Sequence, residues 1–179
     1  MARGLLVLTG TLSVFALVLG ACGGNSEPAA ESTSPAASGA PESVTLRGQF
    51  APVMGAPPAA QGVTGTAEEV RTPNGATVTI DLAGLAPQTE YVAHLHVDAC
   101  SAPDPGGPHF KFDPNGADTP PNEVHLMFTS DAAGAGTATT EVSRPLPDGE
   151  AMTVVVHEAG GHGAAAHGAT PKLVCADVA

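Results

Sequence analysis

Short β-rich runs separated by turn residues constrain this chain more than any other feature. Residues 43–50 (SVTLRGQF), 76–82 (ATVTIDL) and 152–157 (MTVVVH) read at period two, and 91–97 (YVAHLHV) and 124–129 (VHLMFT) are strand-like as well. Turn signals recur at 73–75 (PNG), 113–116 (DPNG), 131–134 (DAAG) and 147–149 (PDG). Asn-Gly between two such runs marks a hairpin. No stretch carries a capped helical stripe. Many short strands with regular turns predict an all-β domain, a sandwich or barrel. Residues 43–179 are the size of one domain. With no Trp, one Tyr and five Phe, its core must be built from Val, Leu, Ile and Ala. Residues 99–123 form a Pro/Gly-rich loop, and loops that long in a compact domain are often functional.

The N-terminus is expected to be an address rather than part of the fold. Arg3 precedes an apolar run from Leu5 to Leu19, which ends in Leu19-Gly20-Ala21-Cys22. A basic start, an apolar core and a small-residue cleavage site describe a secretory signal, here residues 1–21. The ending resembles the lipobox of bacterial lipoproteins, which makes Cys22 the expected lipidation site. The run also approaches the length of an uncleaved membrane anchor. Either way the domain is expected outside the cytoplasm, held to the cell membrane. Residues 22–42 are mostly Ser, Pro, Ala, Gly and Glu with no bulky apolar side chain, a composition expected to form a disordered tether.

Charge and cysteine usage narrow the function. Eighteen acidic residues against six basic ones make nucleic acid a poor partner. There are three cysteines. If Cys22 is lipidated, Cys100 and Cys175 remain as a pair in an oxidising compartment, where a disulfide is the expected state.

All seven histidines lie between residues 94 and 167. His94 and His96 flank Leu95 on a predicted strand. At period two both side chains leave the same face, about 7 Å apart at the backbone, so both can reach one ion. His109 follows Gly106-Gly107-Pro108, and His157 ends the run 153–156. An all-imidazole site suits copper or zinc. On its own, His-x-His is also compatible with two half-exposed strand histidines.

Taken in order, His94-Leu95-His96, Cys100, Gly107-Pro108-His109-Phe110, Val155-Val156-His157-Glu158 and Lys172-Leu173-Val174-Cys175-Ala176 resemble the motifs of the Cu/Zn superoxide dismutases. Upstream, Val63-Thr64-Gly65, Pro73-Asn74-Gly75 and Leu82-Ala83-Gly84-Leu85 resemble the family's opening hairpin and the strand leading to its first ligands. The resemblance covers essentially the whole domain. It implies a Greek-key β-sandwich or flattened barrel, with copper held by His94, His96, His109 and His157 and a Cys100–Cys175 disulfide. The implied reaction turns superoxide into dioxygen and hydrogen peroxide. His109 falls at the copper–zinc bridging position, where it releases and regains the metal while carrying a proton, a task suited to imidazole near neutral pH.

Two departures from that pattern matter. The family's further zinc ligands, two His and an Asp, have no clean counterpart. His125 is the only His between His109 and His157 and does not fall on a zinc-ligand position. Asp113, Asp118 and Glu123 are nearby oxygen donors equally explained as solvated loop charges. Copper is therefore the expected cofactor and zinc the doubtful one, as in copper-only members. His162 and His167 are read as loop histidines. The second departure is Lys172, where the family carries an Arg that guides the anion. Lysine keeps the charge but loses the planar two-pronged donor. The leading expectation is an exported, copper-dependent superoxide dismutase with His109 and Lys172 in catalysis. The alternative is a copper-binding lipoprotein of the same fold without turnover. A metal-free adhesion sandwich would leave the ordered histidines and cysteines unexplained, and no hydrolase nucleophile motif is present.

Overall fold

A computed structural model describes residues 42–150, 153–159 and 170–179 of the chain. The expected signal sequence, the expected lipidation site Cys22, nearly all of the expected tether, Met152, His162 and His167 lie outside these residues. Among the described residues there are eight strands and a single 3-10 turn, Pro58–Ala60. The strands are β1 Val44–Pro52, β2 Thr64–Thr72, β3 Gly75–Ala83, β4 Glu90–His96, β5 His125–Thr129, β6 Gly136–Val142, β7 Thr153–Glu158 and β8 Lys172–Asp177.

They form one antiparallel sheet in the order β5-β4-β7-β8-β1-β2-β3-β6. The two ends of that order meet, since the Thr140 hydroxyl on β6 donates to the His125 carbonyl on β5 at 2.7 Å. The result is a flattened, nearly closed barrel. Neighbours β4, β5 and β6 follow in sequence and β7 returns beside β4, a Greek-key arrangement. The β2–β3 hairpin turns on Pro73-Asn74, with Thr72 opposite Gly75. Gly75 is required there by close approach, because a Cβ would collide with the Val142 carbonyl of β6.

The five predicted runs all lie on strands to within a residue or two. Strands β2, β6 and β8 are additions. β6 (GTATTEV) carries no bulky apolar residue until Val142, so its pattern is weak. β2 breaks the usual rule by turning Glu69 inward, fully buried. Arg71, two residues on and on the same face, donates to Glu69 at 2.7 Å. Burial raises the Glu69 carboxyl above its usual range, and the Arg71 guanidinium opposes that shift.

The interior is aliphatic, as composition required. Val78, Ile80, Ala93, Leu95, Val154, Val156 and Val174 have 1 % exposure or less. Fixing Tyr91, Ala93 and Leu95 in that core puts the alternate residues of β4, His94 and His96, on the outer face of the barrel. On β7, Val154 and Val156 face in, which turns Val155 and His157 outward. These outward side chains are nevertheless buried. The connection of residues 97–124 folds back over this face. It is fastened by the Cys100–Cys175 disulfide, whose Cα atoms are 5.7 Å apart. A second small apolar cluster of Val53, Val155 and Cys175 forms around the bond.

Candidate metal centre

Strand register brings the histidines together before any side-chain detail is considered. Directly opposed residues of an antiparallel pair share a face. His94 is opposite His125 on β5 and Val155 on β7, while His157 is opposite Val92, one diagonal step from His94. His109 reaches the same place from the long loop. Its neighbours extend β4 by a short pairing: Phe110 donates to the Leu95 carbonyl at 2.8 Å, Val97 donates to Pro108 at 3.2 Å, and His109 bridges to His96.

The four rings converge. His94 and His109 stack with centroids 4.2 Å apart, His96 and His109 meet edge-on at 4.7 Å, and His94 and His157 lie 5.4 Å apart. One ring nitrogen from each of His94, His96, His109 and His157 lies within 4.8 Å of the others. Metal–imidazole bonds are ~2.0 Å, so opposed donors around an ion sit ~4 Å apart, and little movement separates this cluster from a coordination site.

Three of the four rings are oriented by what holds their second nitrogen. His96 Nδ1 donates to the Gly107 carbonyl at 2.9 Å, and His157 Nδ1 donates to the Thr170 carbonyl at 3.2 Å. A carbonyl can only accept, so Nδ1 carries the proton and Nε2 keeps its lone pair. The Nε2 atoms of His96 and His157 are both buried with no hydrogen-bond partner. A buried acceptor without a partner is costly, and a metal ion would satisfy both atoms at once. His109 Nδ1 is 3.1 Å from the Glu123 carboxylate, the carboxylate–histidine pairing that fixes and strengthens a metal ligand.

Electrostatics agree with the geometry. Burial first, then the neighbouring imidazoles, pushes His94 far below the ordinary histidine range. Burial likewise lowers His96 to about 3 and His157 to about 4. All three are neutral at pH 7, the form that binds metal.

The loop's oxygen donors separate cleanly. Asp113 is exposed and accepts from the Asn115 amide at 3.0 Å, a local turn contact. Asp118 is exposed and paired with Lys111. Only Glu123 belongs to the site. It is 3 % exposed, and its Oε2 accepts from both His109 and His125, the latter at 2.8 Å. His125 is therefore tied to the cluster through Glu123, and His94, Glu123 and His125 form a second group of possible ligands that shares His94. Sequence reasoning left Glu123 and His125 unassigned. The available signal was their spacing, two apart at the entry to a strand that pairs with the His-x-His strand.

An open cleft exposes one side of the cluster, lined by His109, Lys111, Asp118, His157, Asp104 and Lys172 among others. Lys172, opposite His157 in the β7–β8 register, lies at its edge with its ammonium 2.6 Å from Asp104. The flattened all-β barrel thus carries three buried imidazoles and one half-buried one, His109, that could together hold a metal ion. A scan of protein-family models finds none that matches the chain, and a search of curated proteins likewise finds no match.

Proposed function

We propose that the protein is a copper-dependent superoxide dismutase of the Cu/Zn superoxide dismutase type, exported and lipid-anchored through Cys22. The observation that carries this is the set of four histidines, His94, His96, His109 and His157, with Nδ1 tied back in three of them and the donor nitrogens gathered at one point. An all-imidazole donor set favours copper or zinc over harder ions. The ordered motifs of the sequence favour the dismutase family, and with it copper. Held there by the four histidines, copper would supply the one-electron chemistry by which two superoxides and two protons give dioxygen and hydrogen peroxide.

The chain's own residues do the rest. His94 and His96, rigid on β4, and His157 on β7 fix three donors from the barrel wall. His109 comes from the loop and faces the cleft, with its side chain 15 % exposed, so its Nε2 is the atom best placed to take up and release a proton. Glu123 holds that ring through Nδ1 and places a negative charge beside it, where the zinc-containing members are expected to carry a second cation. His94 and His96 are buried at 3 % and 0 % exposure, away from solvent.

The second reading, a copper-binding lipoprotein without turnover, is favoured by one observation: the acid that neutralises Lys172 at the cleft. Superoxide decay separates the two. The protein, purified metal-free and loaded with copper alone, is expected to accelerate decay catalytically and to lose that activity to a chelator. Tight copper binding with no decay above the uncatalysed rate would select the second reading.

A further inference from the structure

The ammonium of Lys172 is fully engaged. It donates to Asp104 Oδ1 at 2.6 Å, to the Pro105 carbonyl at 2.8 Å and to the Gly107 carbonyl at 3.0 Å. An ammonium has three protons, and all three find acceptors on a single turn. The Gly107 carbonyl is also the acceptor for His96 Nδ1. One oxygen atom thus joins Lys172 of β8 to a buried imidazole of β4.

The turn itself is built to lie flat against that imidazole. Gly106 and Gly107 have φ of 77° and 63°, which side chains disfavour. A Cβ at Gly106 would press on Val155 and reach within 3.3 Å of His96, and one at Gly107 would collide with the Asp98 carboxylate. Backbone bonds close the turn on itself: Gly107 donates to the Asp104 carbonyl at 2.8 Å and Gly106 donates to Ala99 at 3.1 Å. The disulfide anchors its start at Cys100. Lys172 is the side chain that fastens its far end to the barrel.

We propose that Lys172 and Asp104 form a latch that positions His96. Lys172 holds the 104–107 turn in place, Asp104 holds Lys172, and the Gly107 carbonyl so fixed keeps the proton of His96 on Nδ1 and its Nε2 toward the cluster. Lys172 is then a positioning residue, and its charge is balanced by Asp104 rather than offered to anions in the cleft. The consequence for copper rests on the four-histidine site proposed above. The consequence for His96 does not need metal.

The test compares wild type with Asp104→Asn, Lys172→Met and Lys172→Arg. In the metal-free protein, long-range 1H–15N imidazole spectra report the His96 tautomer and the exchange rate of its Nδ1 proton. The latch predicts a protected Nδ1 proton in wild type. It predicts at least tenfold faster exchange in Asp104→Asn and Lys172→Met, and partial recovery in Lys172→Arg. Copper affinity, read by chelator competition, should fall about tenfold in the same two variants, the usual scale for a partner of a metal ligand. Unchanged His96 exchange in Asp104→Asn and Lys172→Met overturns the latch. So does a lower superoxide decay rate with a flattened salt dependence in Lys172→Met while His96 exchange stays at the wild-type value, since that is the behaviour of an anion guide. If Lys172→Met fails to fold, Asp104→Asn decides alone, because Asp104 is 72 % exposed and its loss costs no core. Should wild type bind no copper, the functional proposal falls, and the exchange comparison still decides the latch.

Discussion

The two halves of the barrel wall differ in how many faces they bury. In β1, β2, β3 and β6 burial follows one face, with Glu, Thr and Arg outward apart from the inward Glu69–Arg71 pair of β2, as on β6 where Thr137, Thr139 and Glu141 are exposed. In β4, β7 and β8 burial is nearly continuous: Ala93 through His96, Thr153 through His157 and Leu173 through Ala176 are all buried. A sheet covered on both sides needs something on its outer face, and here that is the loop of residues 97–124 pinned by the disulfide. Four imidazoles occupy the space between wall and loop. One half of the barrel therefore serves as scaffold, and the other as the floor of a site.

Substitutions can break that contrast. The largest effect is expected from His157→Ala on the floor half, which should weaken copper binding by well over 100-fold in a chelator competition, beyond the 10–100-fold typical of a ligand's supporting partner. Wild-type affinity in that variant would remove β7 from the site. Next comes the fastening of the loop. Cys100→Ser with Cys175→Ser opens a crosslink spanning 75 residues, expected to lower unfolding free energy by roughly 4 kcal/mol in urea titration. A loss confined to metal affinity would mean that the loop is held mainly by other contacts.

Glu123→Gln keeps the shape but removes the charge shared by His109 and His125. Copper affinity or dismutation should drop about 10- to 100-fold, while the melting temperature of the metal-free protein changes little by comparison. The floor half should also respond to pH where the scaffold half does not. In the metal-free fold, burial lowers His96 to about 3 and His157 to about 4, below the ~6.5 of an unfolded histidine. The unfolded chain then binds more protons as pH falls below about 6.5. Stability should decline from there through about 4 and about 3, and the still lower His94 extends the decline further into acid. Bound copper should shift that decline to lower pH, because protons must first displace it. The smallest effect is expected from Thr139→Ala on the outward face of β6, under about 0.5 kcal/mol and with no change in metal affinity.

The same contrast explains which features were legible in the sequence. Alternation reveals a one-sided strand, and β1 and β3 stood out for that reason. His94 and His96 were legible because their spacing matches the strand period, and His109 and His157 because each sits in a run with its own turn or strand signal. Glu123 was hidden, since an acidic residue in a loop of Pro, Gly and Asp looks solvated, and only the fold places it under two imidazoles. Glu69 was hidden by the same logic, as its burial depends on Arg71 and on how the barrel end closes. The role of Lys172 was the least legible. Its charge reads as an attraction for anions, whereas its three acceptors lie about 70 residues away on a turn that no local pattern links to β8.

The proposed metal centre is tested most directly by loading the metal-free protein with copper and recording the Cu(II) electron paramagnetic resonance spectrum. Four converging imidazoles predict one tightly bound ion per chain with hyperfine splitting from nitrogen donors. They also predict that this signal is altered by His157→Ala and unchanged by Thr139→Ala. A stoichiometric signal with oxygen-dominated coordination, or one that His157→Ala leaves untouched, would contradict a copper site built from His94, His96, His109 and His157.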